Sequence, residues 1–180
     1  MSEEKVVSSR ELYSGHVVKL RVDTVRMPDG RKTTREIIEH SEAMAAIPVD
    51  AAGNILLVEQ FRYAVEKTLL EVPAGGIEPG ENTEDAVRRE LREEIGYLPG
   101  KVTRLGGFYS APGFCTEYLH LYLATDLTPS PLHAEDTDGI KVVRVTVDRI
   151  YDLIASGSIC DAKTIAGLLF FMKYRTEGLT

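Results

Sequence analysis

One stretch constrains this chain more than any other: GGIEPGENTEDAVRRELREEIGY, from Gly75 to Tyr97. It opens on a glycine turn directly after the apolar run LLEV and closes at Gly96. Between the two lies a predicted helix, from about Asn82 to Ile95. Asn82 suits the N-cap, with Asp85 three residues on, and Gly96 suits the stop. At roughly 100° per residue, Glu93 and Glu94 flank Glu90 within an arc of about 100°. Val87, Leu91 and Ile95 form an adjacent apolar stripe predicted to face the core, with Glu94 on its border. Arg88 and Arg92 fall on the far side and are expected in solvent.

Carboxylates gathered on one helix edge repel, at roughly 0.2–0.5 kcal/mol for each exposed neighbouring pair. A hard divalent cation removes that conflict, because it takes oxygen ligands. Read alone, RRELREE fits a solvated helix laced with Arg–Glu pairs better than it fits a site. The flanks alter the balance. PAGG supplies a glycine turn in which backbone carbonyls can approach a metal or phosphate closely. EPGE supplies a tight turn with proline at a position that suits it.

The remaining sequence is mostly strand-like. His16–Pro28 alternates apolar and polar residues, Asp29–Gly30 signals a hairpin, and Thr33–His40 is the return strand. A small antiparallel N-terminal sheet follows from this, over residues 1–43. Strands are predicted at Met44–Asp50, Asn54–Arg62 and Leu69–Gly75, then after the helix at Gly100–Ser110, Glu117–Leu127 and Ile140–Val147. Two amphipathic helices close the chain. That order predicts an α/β (α+β) domain over 44–180, with a mixed sheet covered by helices on both faces.

Charge narrows the partners. A net charge of −7 opposes general nucleic-acid binding. An anionic ligand would need local arginines or divalent cations as mediators. Cys115 and Cys160 form no CxxC pair, are read as small core or pocket residues, and fit a reducing cytoplasm. The N-terminus shows no apolar signal region and no run approaches a membrane span. The expectation is a cytoplasmic protein without membrane or nucleic-acid partners.

The segment resembles the Nudix box: Gly75, Glu81, Arg89, Glu90, Leu91, Glu93, Glu94, Gly96 and Tyr97 stand in its register. Every fixed polar and glycine position matches; only Tyr97 departs, where an aliphatic is usual. The resemblance implies an αβα sandwich and hydrolysis of a nucleoside diphosphate linked to another moiety, with Mg²⁺ or Mn²⁺. Within the family, the chain looks most like the ADP-ribose pyrophosphatases. YSAPGFCTE places Pro112 fifteen positions after Tyr97, with Gly113, Phe114 and Glu117 behind it. These relatives also have an N-terminal strand domain swapped across a homodimer and an EQFR-like arginine, here Arg62. GDP-mannose pyrophosphatases share parts of the pattern, and a non-catalytic nucleotide-sugar sensor is a further alternative.

By this resemblance Glu90 and Glu94 are the main metal ligands, Glu93 is a catalytic residue that either adds a ligand or supports the other two, and Ala74 is a backbone ligand. Glu81 supports the metals or the loop, and Arg89 orients the box carboxylates. The general base falls in the acidic loop HAEDTDG, among Glu135, Asp136 and Asp138, unless that loop is plain acidic surface. Arg62 would clamp phosphate in bidentate fashion. Arg35 and Glu36 would reach the nucleotide of the partner subunit, or else form ordinary cross-strand pairs. Phe114 and Glu117 would line the terminal ribose, with Phe114 equally suited to the core.

Overall fold

The Asp29–Gly30 turn forms as its sequence predicts. Gly30 takes φ 87°, a left-handed conformation that costs glycine little, and its N–H donates to Met27 O at 2.9 Å. The turn joins β2 (Lys19–Arg26) to β3 (Lys32–Glu39) in unbroken antiparallel register. Ahead of them lies β1 (Lys5–Ser14), paired with β2 through two bulges. β1 is exposed along its whole length, so its residues give no buried alternation by which to recognise it. The computed structural model describes residues 3–134, 137 and 139–178.

Two compact units result. The first comprises Met1–Glu42 with Tyr109–Tyr118, and the second comprises Ala43–Phe108 with Leu119–Thr180. Residues 109–118, which carry Pro112, belong with the N-terminal strands. Ile38 N–H donates to Phe114 O at 2.7 Å, and Thr116 N–H to Ile38 O at 3.0 Å.

The second unit is layered. β4 (Ala43–Pro48) lies between β7 (Ala74–Gly76) and β9 (Tyr118–Pro129), antiparallel to β7 and parallel to β9, with β8 (Tyr97–Tyr109) beyond β9. A second sheet runs β10 (Lys141–Val145), β5 (Ile55–Arg62), β6 (Lys67–Glu71). Every residue of β4 is buried because helices cover both faces. Ala45 and Ile47 share a cluster with Ile150 of α2 (Ile150–Ala155) and with Leu168 and Phe171 of α3 (Ala162–Thr176). Met44 and Ala46 share one with Val87 and Leu91 of α1 (Thr83–Glu94). The fold is a mixed-sheet αβα arrangement with an antiparallel N-terminal sheet.

Three local readings are corrected. LLEVPAG is two strands rather than one. Pro73 has no N–H to give a ladder, and on either side of it the chain changes sheets, β6 pairing with β5 and β7 with β4. Cys160 is exposed and Cys115 only partly buried, so neither is a core residue. Arg92 is not free in solvent: its Nε donates to Ser130 O at 3.0 Å and ties the segment after β9 to α1. Among the described residues, no helix is long and apolar enough to cross a membrane.

Candidate functional site

The site begins with a strand and a turn: Gly75 and Gly76 lie in β7, paired with β4, and do not form the glycine turn that PAGG predicts. Glu81 N–H donates to Glu78 O at 3.0 Å across Pro79 and Gly80, and Gly80 takes φ 84°, the left-handed position of a type II turn. α1 then starts at its predicted cap. Asn82 Oδ1 accepts the Asp85 N–H at 2.9 Å, and Asn82 Nδ2 also contacts the Asp85 carboxylate. Ala86, Val87 and Leu91 are fully buried and Ile95 nearly so, which fixes the rotation of the helix. Gly96 ends it at φ 76°. Tyr97, the departure from the aliphatic pattern, packs against the same cluster, and its hydroxyl accepts Arg144 Nη2 at 3.3 Å.

That rotation places Glu90 against Gly75 and Glu94 against Ala74 of β7, with Glu93 on Arg89. Arg89 holds most of the acidic residues. Its Nε and Nη2 bind the two oxygens of Glu81 at 3.0 Å each, and its Nη1 reaches Glu90 Oε1 at 2.7 Å and Glu93 Oε2 at 3.1 Å. Nη2 also donates to Gly76 O at 2.9 Å. The guanidinium is held above its ordinary pKa, first by Glu81 and then by Glu90, against the opposing effect of burial. Glu81, paired to Arg89, is held below the ordinary carboxylate value.

Glu94 is different. Its Oε2 accepts the Ala74 N–H at 3.2 Å. Burial pushes its carboxyl up to about 8, and the Glu90 charge adds to this, against the Ala74 N–H, Arg62 and Lys163. With these surroundings the buried Glu94 carboxyl favours its neutral form at neutral pH. Gly75 lies so close to the Glu90 carboxylate that a Cβ there would overlap it. Only glycine allows this approach of backbone to carboxylate.

At the end of β6, just before β7, is a cluster that sequence reasoning missed. Arg62 Nε and Nη2 bind both oxygens of Glu71 at 2.8 and 2.7 Å, and Lys163 pairs with the same carboxylate. Glu71 is 1% exposed. Burial alone would push its carboxyl up, but Arg62 and Lys163 outweigh burial and hold it low. A lone glutamate inside the apolar run LLEV was the available signal for a buried ion pair. Lys163 gave none, because it lies far along the chain on α3.

The structure thus gathers Ala74, Glu81, Arg89, Glu90, Glu93 and Glu94 where α1 meets β7, with the Arg62 pair in the same unit. Arg35, Glu36, Phe114 and Glu117 belong to the other unit. Arg35 lies opposite Asp23 in the ladder and grips Glu4 at 2.6 and 3.1 Å, while Glu36 is exposed opposite Val22. Phe114 is exposed, and Glu117 lies 3.5 Å from His40 Nδ1. Glu135, Asp136 and Asp138 lie outside the described residues.

The NUDIX domain profile matches residues 39–168. This chain belongs to the Nudix family. Residues 4–38 match a second profile, the nucleoside diphosphate sugar hydrolase N-terminal domain. The chain is 38% identical over 164 residues to an ADP-ribose pyrophosphatase of Bacillus subtilis, covering 90% of this chain and 89% of the relative. It is 36% identical over 169 residues to an ADP-ribose pyrophosphatase of Mycobacterium tuberculosis, covering 92% and 81%. A Bacillus methanolicus relative named methanol dehydrogenase activator is 36% identical over 170 residues, covering 93% and 92%. The fold matches the crystal structure of an ADP compounds hydrolase at a TM-score of 0.91, with 20% identity and coverage of 100% and 98%.

The Nudix helix fits a hard divalent ion by its chemistry, since the side chains it turns toward β7 are carboxylates, Glu90 beside Gly75 and Glu94 on the Ala74 N–H. Among the described residues no three acidic, imidazole or thiolate groups already converge as a ligand cluster. Glu90 and Glu93 lean on Arg89 instead, so the guanidinium occupies the place of countercharge.

Proposed function

We propose that this Nudix chain hydrolyses the diphosphate bond of ADP-ribose, yielding AMP and ribose 5-phosphate, in a Mg²⁺- or Mn²⁺-dependent reaction. The observation that carries the reading is the Glu90–Glu93–Glu94 edge beside β7, where a Cβ on Gly75 would overlap the Glu90 carboxylate. The names of the Bacillus subtilis and Mycobacterium tuberculosis relatives support the substrate. Glu90 and Glu94, with Glu93 and the Ala74 carbonyl, would hold the metal. A metal held there supplies countercharge for the diphosphate and lowers the pKa of a bound water.

The protein's own groups do the rest. Arg89 keeps Glu81, Glu90 and Glu93 in place through its charged fork. Arg62 uses its Nε and Nη2 fork on Glu71, which corrects the expected bidentate clamp on phosphate, and Nη1 would meet a phosphate oxygen. The general base is assigned to the acidic loop, among Glu135, Asp136 and Asp138. Arg35, Glu36, Phe114 and Glu117 are proposed substrate contacts in a homodimer, with the N-terminal strands exchanged between subunits. β1, exposed along its length and carrying Val6, Val7, Leu12 and Tyr13, supports association through the N-terminal unit.

A second reading follows from residues 4–38, whose profile names nucleoside diphosphate sugars in general. Turnover of ADP-ribose, GDP-mannose, NADH and diadenosine polyphosphates should be compared on the full chain with Mg²⁺. The expected outcome is preferential conversion of ADP-ribose to AMP and ribose 5-phosphate, abolished by chelator. A higher kcat/KM for GDP-mannose would select the second reading, and tight binding of ADP-ribose without turnover would make the chain a sensor.

A further inference from the structure

The first turn of α3 grips the segment that leads into β7. Asp161 caps the helix, its Oδ2 accepting the Thr164 N–H at 3.0 Å and the Thr164 hydroxyl at 2.6 Å. The same hydroxyl accepts the backbone N–H of Val72 at 2.9 Å. Thr164 is fully buried, so one hydroxyl serves as donor and acceptor without recourse to water. One residue earlier, Lys163 pairs with Asp161 at 2.9 Å and with the buried Glu71.

An N-cap needs only the side chain of Asp161 and the Thr164 N–H. The hydroxyl and the ammonium go further and hold Val72 by its backbone and Glu71 by its side chain. Pro73 follows with a locked φ, and its carbonyl accepts the Ala46 N–H at 3.0 Å. Next is Ala74, whose N–H holds Glu94 at 3.2 Å. Each residue from Glu71 to Ala74 is thus restrained, and the chain of restraints runs from α3 to the acidic edge of α1.

We propose that Thr164 and Lys163 are positioning residues for that edge: by fixing Glu71 and Val72 they set the Ala74 backbone against Glu94. The proposal rests on the metal-site reading above, not on the identity of the substrate. Neither residue is given a contact with substrate or metal.

The test uses the full chain and two readouts: Mn²⁺ binding without substrate, by calorimetry or electron paramagnetic resonance, and steady-state turnover. In Thr164→Val the Mn²⁺ Kd should rise and kcat should fall, each roughly tenfold or more, with little change in KM. Thr164→Ser keeps the hydroxyl and should restore both. A Thr164→Val protein that merely melts earlier, with Mn²⁺ Kd and kcat at wild-type values well below its Tm, overturns the proposal. If Thr164→Val does not fold, Lys163→Gln carries the same test against Lys163→Arg. Lys163→Gln removes a nearby positive charge, which by itself favours Mn²⁺. Weaker Mn²⁺ binding in that variant therefore reports lost position, and unchanged or tighter binding overturns the proposal. Wild-type protein that binds no Mn²⁺ overturns the metal reading and this inference with it. Wild-type protein that binds Mn²⁺ but leaves ADP-ribose intact overturns only the substrate, and the Mn²⁺ comparison still decides.

Discussion

Glu71 is a carboxylate with 1% exposure held between two cations, and its stability contribution has a definite sign with pH. Its folded pKa lies below the ordinary value of 4.5. The contribution is therefore fully present above the unfolded pKa and is lost as pH falls through the folded one. Glu71→Gln leaves Arg62 and Lys163 without their charged partner and should cost roughly 3–5 kcal/mol at neutral pH. Urea denaturation at pH 7 and at pH 3 checks this, and the gap from wild type should narrow at pH 3. Glu94 is tested through turnover, as a proposed metal ligand. Glu94→Gln removes a proposed metal ligand and should lower kcat by on the order of 100-fold or more while ADP-ribose affinity changes far less. Unchanged kcat in that variant would remove Glu94 from the ligand set.

At the scale of elements, α1 is positioned by three local devices: the type II turn at Pro79–Gly80, the Asn82 cap and the Gly96 stop. Asn82→Ala should destabilise the protein by about 1 kcal/mol, read as a lower urea midpoint at constant slope. Because the buried stripe of Val87 and Leu91 still sets the rotation, activity per folded molecule should hardly change. Gly75→Ala is the converse case. Its Cβ would run into the Glu90 carboxylate, so activity and Mn²⁺ affinity should fall by roughly tenfold or more while the helix caps stay intact. A Gly75→Ala enzyme with wild-type kcat and Mn²⁺ affinity would rule out the close approach as a requirement of the site.

At the scale of the whole molecule, the N-terminal unit includes residues 109–118 as well as the first strands. Deleting residues 1–43 takes away β1, β2 and β3 and leaves 109–118 without the strand end it bonds to at Ile38. The truncated chain should be monomeric or aggregated in light scattering and should lose activity. A well-behaved, fully active dimer would reject the exchanged-strand arrangement.

The sequence by itself determined what repeats at short range. The caps and rotation of α1 and the Asp29–Gly30 hairpin follow from local conformational preference and apolar periodicity, which act within a few residues. So does the register of Glu90, Glu93 and Glu94. Local pattern could not expose β1, which buries nothing, or the break of LLEVPAG at Pro73, which depends on which sheet accepts each half. Nor could it pair Glu71 with Lys163, or the Thr164 hydroxyl with Val72, since those partners lie far apart in the chain. Tertiary structure decided those contacts. Burying Glu71 requires opposite charge and the Val72 N–H requires an acceptor, and only the packed sheet and α3 bring both within reach.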